Sequence, residues 1–142
     1  MKRFLFLILI LSFNVSAEEQ AITQWAYTQL ERAQANLDKG NVEAAETIYY
    51  DNSNGTWSSR SYDHFVFLRT YSYFLLSFDR NEEALEYLKQ ASLKRDMPPY
   101  DIFELNFTLG QVYYVTDDRE NAKKTLLKWV EIGEKNKLDL KP

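Results

Sequence analysis

The chain has 142 residues, 17 Lys and Arg against 21 Asp and Glu, a net charge of −4, and no cysteine. The acid excess argues against nucleic acid or an anionic membrane surface as a partner. The missing thiols exclude disulfides, thiolate metal sites and thiol catalysis, so stability must come from packing, for which 3 Trp, 10 Tyr and 9 Phe supply large side chains.

At the N-terminus, Lys2 and Arg3 precede an unbroken apolar run from Phe4 to Leu11, and small residues follow at Ser16 and Ala17. That order reads as a secretory signal peptide, residues 1–17, cleaved after Ala17; its apolar core is well short of the roughly 20 residues a spanning helix needs. The expectation is a periplasmic or secreted protein with no stable membrane span after cleavage. The alternative is that the segment is kept as an anchor. Cleavage takes away two of the 17 basic residues and leaves 15 against 21 acidic, a net charge of −6.

From Glu18 to Lys39, Ile22, Trp25, Ala26, Leu30, Ala33 and Leu37 recur at helical spacing, and Gly40 ends the pattern. A shorter helix follows over Asn41 to Asp51, with Val42, Ala45, Ile48 and Tyr49 on one side. Asn52 to Ser61 is a loop by composition. Tyr62 to Phe78 is apolar nearly all round, which places this helix in the middle of the molecule. Asp79 to Asn81 turns the chain into a helix over Glu82 to Leu93, and Met97-Pro98-Pro99 breaks it and starts the next. Asp101 with Glu104, and Asp117 with Glu120, have the spacing of helix-start caps for a fifth and a sixth helix. Residues 136–142 read as a flexible polar tail.

A small pattern recurs three times, as Gly40-Asn41-Val42-Glu43-Ala44-Ala45, Asp79-Arg80-Asn81-Glu82-Glu83-Ala84 and Asp117-Asp118-Arg119-Glu120-Asn121-Ala122. Ala45, Ala84 and Ala122 are 39 and 38 residues apart, a period that marks stacked helical hairpins. The third hairpin, with Leu109-Gly110-x-x-Tyr113 and then Ala122 and Leu126, resembles the tetratricopeptide repeat. The second, with Leu68, Tyr71, Ser72 and Leu75 and then Ala84, Leu88 and Ala91, resembles it as well. In the first, Ala33, Ala45 and Tyr49 fit. Gln29, Arg32 and Asn36 stand where large apolar residues are usual, which suggests packing in a shifted phase. Trp129 replaces a small residue, as a final repeat with no successor can tolerate.

The resemblance implies an all-α domain over residues 18–135, three antiparallel hairpins stacked as a short right-handed superhelix. The alternative is an irregular six-helix bundle. It also implies a concave face lined by the first helix of each hairpin. That face would present Tyr27, Leu30, Gln34 and Asp38, then Arg69, Tyr73 and Ser77, then Glu104, Phe107, Gln111 and Tyr114. Aromatics among amides and a few charges suit a peptide or partner protein. A family subset grips C-terminal carboxylates with several cationic and amide groups, whereas here Arg69 stands almost alone.

Nothing in the sequence assembles a catalytic set. His64 is the single histidine, so His-based triads and multi-His metal sites cannot form. The acidic pairs Glu82/Glu83 and Asp117/Asp118 fall where helices start, where capping and the helix dipole account for them. The expectation is a non-catalytic interaction module without cofactor or metal, whose partner is a protein or peptide. One rival is an exported immunity or inhibitor protein that neutralises a basic toxin enzyme. Another is self-association through the last hairpin at Trp129 and Val130.

Overall fold

The computed structural model describes residues 20–140, so the expected signal peptide lies outside the described residues. Among these there are six helices and no strand: α1 Gln24–Asp38, α2 Val42–Ser53, α3 Tyr62–Ser77, α4 Asn81–Ser92, α5 Pro99–Val115 and α6 Arg119–Asn136. Each helix packs on the next in chain order, so the chain folds as consecutive helical hairpins.

One turn geometry closes all three hairpins. Gly40, Asp79 and Asp117 hold φ of 79°, 58° and 63°. In each turn the following amide, from Asn41, Arg80 or Asp118, donates back to the carbonyl of Asn36, Leu75 or Tyr113, at 2.8, 3.0 and 2.9 Å. This is the Schellman ending of a helix, and it satisfies carbonyls that the helix end would orphan. Lys137, with φ 55°, ends α6 in the same way, and the Leu138 amide donates to the Gly133 carbonyl at 2.9 Å. Beyond that cap the chain turns back, and Leu140 and Phe103 both crowd Gly133.

One helix start and two caps differ from the expected ones. Helix α1 begins at Gln24, capped by Thr23, whose hydroxyl accepts from the Ala26 amide at 3.2 Å. Helix α5 begins at Pro99, as the proline pair predicts, because proline needs no amide partner in a first turn; Asp101 lies inside the helix and does not cap it, and its carboxylate is used elsewhere. Helix α6 is capped by Asp118, which accepts from the Asn121 amide at 3.1 Å, because Asp117 takes the left-handed turn position.

Small residues set the closeness of each hairpin. Ala33 and Ala45, Ser72 and Ala84, and Gly110 and Ala122 are all buried. A Cβ added at Gly110 would fall 2.6 Å from the Leu126 side chain. The first hairpin therefore packs in the same phase as the others, and the shifted phase suggested by Gln29, Arg32 and Asn36 is incorrect. No hairpin precedes α1 among the described residues, so these side chains meet solvent at that end of the stack, Arg32 being exposed and the other two half-buried.

Two apolar clusters form the core. One joins Ala33, Ala45 and Tyr49 to Tyr71, Phe74, Leu75 and Ala84; the other joins Phe65, Leu68, Leu88 and Ala91 to Met97, Leu105, Leu109 and Val112. Helix α3 feeds both, which is why its sequence is apolar nearly all round.

Candidate functional site

The first helices of the hairpins are tied to one another sideways. Asp63 at the start of α3 accepts from the Thr23 amide at 2.9 Å and from its hydroxyl at 2.7 Å. Asp101, 38 residues later, accepts from Tyr62 at 2.8 Å and pairs with Arg69 at 2.8 Å. Tyr62-Asp63 and Tyr100-Asp101 are thus a second repeated element, in which each Asp reaches back to the preceding hairpin. Sequence reasoning missed it, although the period of 38 was visible.

These ties decide the state of several residues expected on the inner face. Burial pulls the Arg69 guanidinium's pKa down, but Asp101 more than offsets this and moves it above its ordinary value. Arg69 also stacks over Phe65, 5.3 Å from the ring centre, so it is a structural cation joining α3 to α5. Tyr73 meets the Thr108 hydroxyl at 3.5 Å, and Ser77 donates to the Phe74 carbonyl at 2.6 Å. On α1, Gln34 donates to Asp38 at 2.9 Å. The Tyr27 phenol is hydrogen-bonded by Glu31, which raises its pKa. Glu104 and Gln111 are exposed on α5.

Phe107 and Tyr114 are brought together in a different place. With Leu126, Leu127, Trp129 and Val130 they line a groove of about 600 Å³ between α5 and α6, at the end of the stack. Trp129 stacks on Phe103 with ring centres 5.4 Å apart and tilts over Phe107 at 4.9 Å. Tyr114 and Leu127 are 56% and 60% exposed, so large apolar groups face solvent here. Among the described residues, the charged ones lining the groove are Arg119 and Lys123, and the Arg119 guanidinium lies over the Tyr114 ring at 5.0 Å.

The repeat shows what this groove corresponds to. Moved back 38 positions, Phe107, Tyr114, Leu126 and Trp129 become Arg69, Leu76, Leu88 and Ala91, which α5 covers through Asp101, Leu105, Leu109 and Val112. Moved back a further 39, the first three become Leu30, Leu37 and Tyr49, which α3 covers with Tyr71, Phe74 and Leu75. The groove is the third copy of a helix seat: the first two copies hold α3 and α5, and among the described residues no helix lies over the third.

His64 serves the fold. Its Nε2 is 2.8 Å from the Ser53 carbonyl, to which it donates as the neutral ring, and the ring stacks on Trp57 with centres 5.5 Å apart. Burial lowers its pKa. No protein-family model matches this sequence, and no curated protein matches it.

Proposed function

We propose that this protein is a non-catalytic protein-binding module, a short tetratricopeptide-like stack exported through its leader segment, with the α5–α6 groove as its principal docking surface. The observation that carries this reading is the repeated seat: two copies hold helices, and at the matching positions of the third Tyr114 is exposed and Phe107, Leu126 and Trp129 are half-buried. Repeat arrays need a polar terminal face to remain soluble. Gln29, Arg32 and Asn36 lie at that position at one end, whereas the other end is apolar. The rival reading, an inhibitor of a basic toxin enzyme, finds less support, because the charged residues lining the groove are both cationic.

Affinity capture from the envelope fraction of the host, with wild-type protein and two variants, tests this. Leu127→Glu charges the groove, and Glu104→Ala with Gln111→Ala alters the exposed polar groups of α5. The reading predicts a partner retained by the wild type and by the α5 variant and lost with Leu127→Glu. Retention that is indifferent to Leu127→Glu, or no retained protein at all, contradicts it.

A further inference from the structure

The three seats differ in charge at one matched position. In the first seat that position is Glu46, which pairs with Arg80 at 2.6 Å and accepts from Tyr71 at 3.0 Å. Arg80 lies just past the C-terminal end of α3, the helix that fills this seat. Glu46 thus reads the charge that follows the seated helix. In the second seat the position is Leu85, which packs against the core. In the third it is Lys123, which has no ion-pair partner among the described residues. Arg119 stands one turn earlier on the same edge, in contact with the exposed Asp117 at 3.3 Å.

Resting on the protein-binding reading, we propose that the α5–α6 groove receives an amphipathic helix of a partner protein that carries a carboxylate at its C-terminal end, where Lys123 reverses the charge of Glu46. The apolar stripe of that helix would lie over Phe107, Leu126 and Trp129, as α5 lies over Leu88 and Ala91. Its orientation follows from the filled seats. Asp101 near the start of α5 meets Tyr62 and Arg69, and Thr108 further along meets Tyr73, so the seated helix runs parallel to the first helix of the hairpin below. Its last turn therefore comes to Tyr114 and Lys123. A second copy of this chain fits poorly as a head-to-tail occupant, because the outward residues of α1 include Gln29, Arg32 and Asn36, which do not match an apolar seat.

The probe is a synthetic peptide of residues 99–118 of this chain. By the repeat register, its Asp118 stands where Arg80 follows α3. A companion peptide carries Asp117→Lys and Asp118→Lys, and both are amidated at the C-terminus so that the side chains alone differ in charge. Each is titrated into the full chain while the Trp129 indole resonance, assigned with Trp129→Phe, is followed by NMR. The acidic peptide is expected to shift that resonance and to bind ~fivefold more tightly than the lysine peptide, the scale of one partly exposed ion pair. Lys123→Glu, a surface change, is expected to reverse the preference. Silence of Trp129 with both peptides, or a preference that Lys123→Glu leaves unchanged, overturns the proposal. So does a dimer by light scattering whose Trp129 resonance shifts when dilution separates it. The titration needs no natural partner, so its failure is distinguishable from a failed capture.

Discussion

His64 is the residue where burial and titration meet most directly. Its Nε2 is used by Ser53, while Nδ1 is buried with no hydrogen-bond partner among the described residues, so protonation would place a charge without an acceptor. Burial is the main cause of the lowered pKa, and the charge of Lys94 adds to it. A base with a folded pKa below its unfolded value of about 6.5 stabilises the fold fully above that pH, and the contribution is lost as pH falls. The melting temperature should therefore drop as the protein is acidified from pH 7.5 to 5.5, and His64→Gln should flatten that slope. Equal slopes for the two proteins would show that His64 does not control it. The single histidine was legible in the sequence as a structural group. Its stack on Trp57 was not, because Trp57 lies in a segment that composition marks only as loop, and its indole donating to the Asn52 carbonyl at 2.8 Å is a folded-state contact.

At the scale of elements, the hairpins were legible because the helix ends and close contacts use local chemistry. Ala45, Ala84 and Ala122 at near-constant spacing located the second helices, and Gly110 marked the closest approach. The ties between hairpins were harder to read, because an aspartate in a first helical turn already has a local explanation in capping and the helix dipole. Only the fold shows that Asp63 and Asp101 reach back to the preceding hairpin. Asp101→Ala would leave Arg69 buried without its partner and should cost about 2–4 kcal/mol in urea unfolding. Arg69→Met with Asp101→Leu should recover more than half of that loss, since an apolar pair suits the site once both charges are gone. Additive losses in the double variant would show that the two residues do not act as a pair.

For the whole molecule, the described residues form a row of three corresponding seats, of which two hold helices and the third, between α5 and α6, has no helix over it. The resemblance to a repeat family placed Phe107 and Tyr114 on an inner face with Arg69 and Tyr73. In the structure the first two lie in the terminal groove, whereas Arg69 and Tyr73 are engaged in the contact between α3 and α5. A periodic sequence pattern does not distinguish a covered hairpin from an uncovered one, so the apolar residues of α5 and α6 look like core. Stability in such a row is a sum over neighbours, which makes α4 and α6 unequal: α4 is covered by α3 and α5, and α6 by α5. Amide hydrogen exchange on the full chain compares them directly. Amides of α6 should exchange at least about tenfold faster than those of α4, a difference of ~1.4 kcal/mol in local opening, and the 99–118 peptide should slow them. Equal protection of α6 and α4 in the chain alone, or an α6 unaffected by the peptide, would contradict the open seat.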